Sequence, residues 1–255
     1  MKLFLIVICV FPQLLFGQTD SLSSRYDRIN WTFYELNSPK KPLFKKSVIP
    51  LVLTTAALSV NHFPLKQTIQ DEIRAPFKDY TTNIDDYIQY APIGIMYGAD
   101  FFKLKAEHHI WNQTKFLFMS EALTGIVVFS LKYGLGIQRP DSSAYTSFPS
   151  GHTAQAFVAA QVLHNEFKNT NKTIAYSGYL FSTSTGVLRI INNKHWLPDV
   201  LLGAGIGILM TNIIYHFEPL KNWTPKFIES NKDLSLQFYP SFTNDYVGGH
   251  LKFNL

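Results

Sequence analysis

An all-α helical bundle is the fold that this sequence predicts, and three observations carry the expectation. Apolar residues recur at helical period through the middle of the chain, and the stretches 48–60, 122–131 and 200–214 are apolar enough to enter a membrane. Helix-start residues stand where those patterns begin: Ser150 precedes the periodic run Ala154–Leu163, and Pro198 fits the first turn of 198–216. A mean hydropathy of +0.01 is low for a chain of six full spans, so the bundle is expected to be partly or wholly embedded, with three to six irregular spans.

The elements follow in chain order. Residues 1–17 read as a secretory signal: Lys2, an apolar run Leu3–Phe16, then Gly17-Gln18 as a small-residue cleavage site. Cys9 is the single cysteine and lies inside that run, so the mature chain has neither disulfides nor thiol chemistry. An N-terminal segment, 18–46, leads into a domain spanning 47–217. Its candidate helices are 47–62, 84–102, 116–136, 152–167, 174–190 and 198–216. Two of them are poor spans: 152–167 carries Gln155, Gln161, His164 and Glu166, and 84–102 carries Asp85, Asp86 and Asp100. The extension 218–255 changes character. Apolar and polar residues alternate on either side of Thr243-Asn244-Asp245, which predicts a small β-hairpin that Gly248-Gly249 either bulges or loosens. No repeat or low-complexity segment is present.

Chemistry concentrates in three blocks: Lys132-x6-Arg139-Pro140, Pro149-Ser150-Gly151-His152 and Arg189-x5-His195-x3-Asp199. Alone, each is ordinary. Lys132 at the end of an apolar stretch is a snorkelling residue, Arg139-Pro140 is a helix exit, and Pro-Ser-Gly-His is a turn and cap. Together they hold ten residues of fixed type, a pattern that chance supplies roughly once in 10^13. They also suit one task, holding a phosphate. Lys132 offers a point charge, and Arg139 and Arg189 offer planar forks for phosphate oxygens. Ser150 caps a helix whose free N–H groups form an anion site, and Gly151 lets backbone approach closely. Asp199 lies one helical turn beyond His195, where a carboxylate fixes the ring tautomer. The remaining histidines, His62, His108, His109, His164, His216 and His250, have no partner pattern. His108-His109 lacks the spaced carboxylate or cysteine of a metal site. Trp196 packs beside the site or sits at a membrane interface.

These blocks resemble the catalytic signature of the type 2 phosphatidic acid phosphatase (PAP2) superfamily, over residues 84 to 217. The superfamily covers lipid phosphate, undecaprenyl pyrophosphate and lipid A phosphatases, class A acid phosphatases and vanadium haloperoxidases. The stretch 152–207, with Asn192-Asn193 and Gly203-Ala-Gly-Ile-Gly207, is similar to PAP2 proteins of Bacteroidetes-type bacteria. One departure is Leu188, where the family usually has Ser before the arginine, and it removes one hydroxyl beside the site. The resemblance implies a core of about six helices and His195 as nucleophile, forming a phosphohistidine. It implies His152 as the acid that protonates the leaving oxygen, and Asp199 as the carboxylate behind His195. Phosphate would be held by Lys132, Arg139, Ser150, Gly151 and Arg189, with no metal and no cofactor.

The expected activity is hydrolysis of a phosphomonoester or pyrophosphate, of a lipid in the lipid A, undecaprenyl pyrophosphate or phosphatidate class. The alternatives are a soluble periplasmic acid phosphatase, a vanadium haloperoxidase, for whose extra shell the chain lacks room, and a non-catalytic membrane protein. The net charge of +5, with no basic cluster at aromatic spacing, favours anionic headgroups and a membrane over nucleic acid. Cleavage after Gly17 would put the mature N-terminus outside, and crossings by 47–62, 84–102 and 116–136 would then leave the site in the cytoplasm. Lys40, Lys41, Lys45 and Lys46 mark their own flank as the inner side. Family active sites usually face outward. That is the orientation expected here, in the inner membrane facing the periplasm or free in the periplasm.

Overall fold

The computed structural model describes residues 42–223, 235–242 and 247–254. The expected signal segment 1–17 and most of the segment 18–46 lie outside the described residues, as does the expected turn at 243–245.

Eight helices make up the described domain. They are α1 Leu43–Val60, α2 Leu65–Arg74, α3 Asp85–Ile88 and α4 Ala91–Phe101. The second half contains α5 Ile110–Leu135, α6 Gly151–Phe167, α7 Lys172–Ile191 and α8 Leu197–Phe217. Local chemistry sets their ends. Ser150 Oγ accepts Thr153 N at 3.4 Å to start α6, and Asn171 Oδ1 accepts Ile174 N at 3.1 Å to start α7. Gly136, at φ 57°, turns the chain out of α5 in the left-handed conformation that glycine adopts without strain.

Two expectations are corrected. The segment 84–102 is not one helix but two, α3 and α4, parted at Gln89–Tyr90. Pro92 is the reason, because a proline has no N–H for the helix ladder and fits only a first turn, which it occupies in α4. The helix α2 was not foreseen. Its ten residues carry polar side chains at every position but Leu65, Ile69 and Ile73, a stripe too short to register as an apolar segment.

The chain runs back and forth along the bundle, and the contacts fix the direction of each pass. Lys46 O accepts Asn212 Nδ2 at 2.9 Å near the end of α8, whereas Phe63, just past α1, packs on Trp196 just before α8. So α1 runs toward the end where α8 begins. α3 and α4 return the chain: Asp85 binds Arg189 at that same end, and Asp100 accepts Gln113 Nε2 at 3.1 Å near the start of α5. α5 then returns to Lys132, α6 leaves again, and α7 comes back to Arg189. The opposite end is tied by buried Glu166, which receives His108 N and Nδ1 at 2.9 and 3.1 Å and Tyr215 Oη at 2.5 Å. His108 is thereby a structural histidine.

Among the described residues, three helices, α1, α5 and α8, are long and apolar enough to cross a membrane. They include the three stretches singled out from sequence. α1 and α5 turn Phe44, Val48, Leu51, Leu58, Phe118, Ile126 and Phe129 outward. Side chains so placed in a lipid-facing helix need no aqueous partner. α8 is instead drawn into the centre by its glycines. A Cβ on Gly203 would stand 2.6 Å from Ser150 O, and one on Gly207 would stand 2.4 Å from Ala154 O. The α8 backbone therefore lies directly on that of α6, the close approach that small residues permit between membrane helices. This contact holds the first turns of α6 and α8 side by side at one end of the bundle. In the extension, Ser235–Phe242 and Val247–Asn254 pair antiparallel, with Ser235 opposite Asn254.

Candidate active site

The site is assembled where α5, α6 and α7 come to the same end as the start of α8. Asp199 is its anchor. It occupies the third position of α8, where its Oδ2 accepts Trp196 N at 2.9 Å and closes the helix start. The same oxygen accepts the Ser147 hydroxyl and faces His195 Nδ1 at 3.3 Å. Its backbone carbonyl accepts Ser150 N at 2.9 Å, which links the Pro-Ser-Gly-His turn to α8. A carboxylate only accepts hydrogen bonds, so His195 Nδ1 carries the proton and its Nε2 lone pair is free. The ring is 1% exposed. Burial drives its pKa down from 6.5 to about 4, against the opposing pull of Asp199 and with help from the charges of Lys132 and Arg189. His195 is thus a neutral imidazole with one oriented lone pair.

The three cations surround this centre. Lys132 Nζ donates to Thr146 O at 2.6 Å, and its Cε would lie 3.8 Å from a Cβ on Gly151. Arg189, 7% exposed, donates through Nη1 to Asp85 Oδ2 at 2.6 Å. Arg139 follows the end of α5, where its backbone N–H donates to Ala144 O at 2.9 Å and folds the loop before α6. The charges of Arg139, Arg189 and Asp199 all reach Lys132. The Nε groups of Arg139 and Arg189 are buried with no acceptor among the described residues, which suits an oxyanion that takes several N–H donors at once. Gly151 opens α6 and leaves room for that approach. His152 follows it on the rim, where its Nε2 meets Asp86 Oδ1 at 2.9 Å.

All eight residues expected from the sequence, Lys132, Arg139, Ser150, Gly151, His152, Arg189, His195 and Asp199, lie at this end of the bundle. Ser150 keeps its expected place as the cap of α6. Trp196 packs beside the site: its Nε1 donates to Gln138 O at 2.9 Å and its ring meets Phe63 edge to face at 5.8 Å. Sequence reasoning missed the acidic and amide groups behind the cations. Asp85, 1% exposed, accepts Asn192 Nδ2 at 2.9 Å as well as Arg189, and Gln70 of α2 donates to Ile190 O at 3.1 Å and to Asn193 Oδ1 at 3.0 Å. The Asp85-Asp86 pair was visible, but acidic residues at a helix start are ordinary, and nothing in the spacing links them to a residue about a hundred positions on.

A scan of family models matches the PAP2 superfamily over residues 113–223. Among curated proteins, a lipid A 1-phosphatase of Porphyromonas gingivalis is 33% identical over 184 residues, which cover 71% of this chain and 40% of that protein. The chain thus spans less than half the length of that relative. Among solved structures, Aquifex aeolicus LpxE aligns with 23% identity and a TM-score of 0.48, over 62% of this chain and 98% of that one. A transmembrane PAP2-type phosphatidylglycerolphosphate phosphatase from Bacillus subtilis aligns with 19% identity and a TM-score of 0.49, over 69% and 95%. The matched segment runs from the first turn of α5 to just past α8, so the likeness to the PAP2 superfamily takes in every member of the buried His–Asp centre and the cations beside it.

Proposed function

We propose that the protein is a metal-independent lipid phosphatase that works through a phosphohistidine on His195. The single observation that carries this reading is the buried His195–Asp199 pair, which presents a neutral imidazole among three fixed cations. In the first half-reaction, the Nε2 lone pair forms the P–N bond as the P–O bond to the lipid breaks. The departing electron pair stays on the leaving oxygen, which takes a proton from His152. In the second half, His152 accepts a proton from water, the water oxygen bonds to phosphorus, and the P–N electrons return to Nε2. Lys132, Arg139 and Arg189 neutralise the equatorial oxygens throughout, the charge compensation that divalent metal supplies in other phosphoryl-transfer sites.

A lipid substrate is supported by the apolar outward faces of α1 and α5, which favour an embedded enzyme over a soluble acid phosphatase. The likeness to a lipid A 1-phosphatase makes a lipid A phosphate the first candidate, ahead of undecaprenyl pyrophosphate and phosphatidate. The test is phosphate release by detergent-solubilised protein from those three lipids and from p-nitrophenyl phosphate. Turnover of a lipid at least tenfold faster than of p-nitrophenyl phosphate, unchanged by EDTA and inhibited by orthovanadate, is the expected result. A strict requirement for added divalent metal would overturn the mechanism.

The site is proposed to face the periplasm. Lys45 and Lys46 open α1 at the end of the bundle away from the site, so the rule that lysine-rich flanks stay in the cytoplasm turns the site outward. Cleavage after Gly17 with three passes before the site gives the reverse, and labelling separates the two. In a Cys9→Ser background, Ser143→Cys marks the site end and Asn169→Cys the other. A membrane-impermeant maleimide added after permeabilising the outer membrane is expected to label position 143 and spare position 169. The opposite pattern would place the site in the cytoplasm.

A further inference from the structure

The His152 ring has a carboxylate partner that belongs to none of the three sequence blocks. Its Nε2 lies 2.9 Å from Asp86 Oδ1, and the same oxygen is 3.7 Å from Arg189 Nη1. Asp86 is carried by α3, the four-residue helix that stands apart because Pro92 must begin a new one. The neighbouring Asp85 fixes that helix to α7. It is 1% exposed and held by Arg189 at 2.6 Å and by Asn192 at 2.9 Å, while Asn192 also exchanges hydrogen bonds with the backbone of Thr82 at 2.8 and 3.0 Å. A buried anchor at one residue thus presents the next to His152.

The charged groups that face the ring are Asp86 and Asp85 from α3 and Arg189 from α7, with Lys132 of α5 beside Gly151. Burial lowers the His152 pKa most, Arg189 lowers it further, and the carboxylates oppose both, Asp86 most strongly. A ring that must deliver a proton to a leaving oxygen is needed in its charged form, and burial and Arg189 both work against that form.

We propose that Asp86 is the positioning residue of His152, holding the ring in its protonated, proton-donating state as Asp199 holds His195 in its neutral, attacking one. The site then contains two His–Asp couples in contrasting environments. The couple at the start of α8 is sealed from solvent and keeps its ring neutral. The couple between α3 and α6 is open to solvent, with side chains 35% and 49% exposed, and exchanges protons with water. Two pairs of like composition thus sit in contrasting surroundings, one sealed and one open to water, which is how two titratable groups in one site take separate acid and base roles. The proposal rests on the reading of His152 as the leaving-group acid.

The experiment pairs a titration with kinetics. In detergent-solubilised protein labelled with carbon-13 in the histidine rings, the His152 signal is assigned by its loss in His152→Gln and followed against pH without substrate. Asp86→Asn is expected to lower the His152 midpoint by about half to one unit, less than a buried partner would because the pair is solvated. The basic limb of kcat/KM should move to lower pH by the same amount, and Asp86→Glu should restore both. An unmoved midpoint would overturn the proposal. So would an Asp86→Asn protein that binds orthovanadate more tightly with an unmoved pH profile, since Asp86 would then be no more than an anion resting in the phosphate cradle. A wild type that releases no phosphate from any substrate would count against the phosphatase reading alone, and the titration would still decide whether the couple exists.

Discussion

Replacing His195 by alanine is expected to lower kcat by about 10^4 or more while leaving the helical bundle intact. The size of the effect follows from what the ring supplies. The three cations remain in His195→Ala and still bind phosphate, so KM should change little. The attacking atom is gone, however, and water must reach phosphorus without a covalent step. Asp199→Asn should cost less, because it disturbs orientation and tautomer without removing the nucleophile. Rapid acid-free quench of the wild type should trap base-stable, acid-labile phosphate on the protein, and neither variant should accumulate it to the same level. Substantial turnover by His195→Ala would remove His195 from the mechanism.

The pH behaviour of the nucleophile has a definite sign. Burial holds the folded-state pKa of His195 at about 4, below the 6.5 of an unfolded histidine. The unfolded chain therefore takes up this proton first as pH falls. The stability that depends on a neutral ring is complete above about pH 6.5 and is lost as the pH drops toward 4. Activity that depends on His195 should persist well below neutrality. The alkaline limb belongs to His152 instead, which is why that limb is the readout for Asp86.

Much of this could be read from the sequence, and what could not has a physical cause. The three blocks were legible because each is local: a cap, a turn and a residue pair one helical turn apart all show in linear spacing. The long apolar helices α1, α5 and α8 were legible for the same reason, since apolar length survives without tertiary context. The α3–α4 pair defeated the reading because apolar content runs through 84–102 while Pro92 breaks the ladder. The helix α2 was invisible because half its role is polar: Gln70 and Arg74 bind the carbonyls of Ile190 and Ile191, contacts that exist only once α7 is in place. Gly203 and Gly207 stood out in composition, but only the fold reveals that each faces a carbonyl of α6. Asp85 and Asp86 were read as reasons against a membrane span. They are the partners of Arg189 and His152, and a contact across about a hundred residues leaves no trace in local pattern.

That long-range pairing sets up the second large effect. Arg189→Ala is expected to reduce kcat/KM by about 10^3 and also to destabilise the fold, two losses with separate causes. The catalytic loss follows from removing one preorganised fork from the phosphate cradle, where a single donor is worth about 10^2 to 10^3. The stability loss follows from Asp85. With Arg189 gone, a carboxylate 1% exposed keeps only Asn192 as a partner, and stranding one member of a buried ion pair costs about 3–5 kcal/mol. The two effects separate genetically. Arg189→Ala combined with Asp85→Asn removes the stranded charge and should recover most of the thermal stability, yet should stay about 10^3 below wild type in kcat/KM. Arg189→Lys should behave in the same direction: an ammonium can meet Asp85 and hold the fold, but it lacks the planar fork that spans two phosphate oxygens. Thermal melts in detergent measured beside phosphate release distinguish the two contributions. Full recovery of activity in the double variant would show that Arg189 acts only as the counter-ion of Asp85 and never touches phosphate.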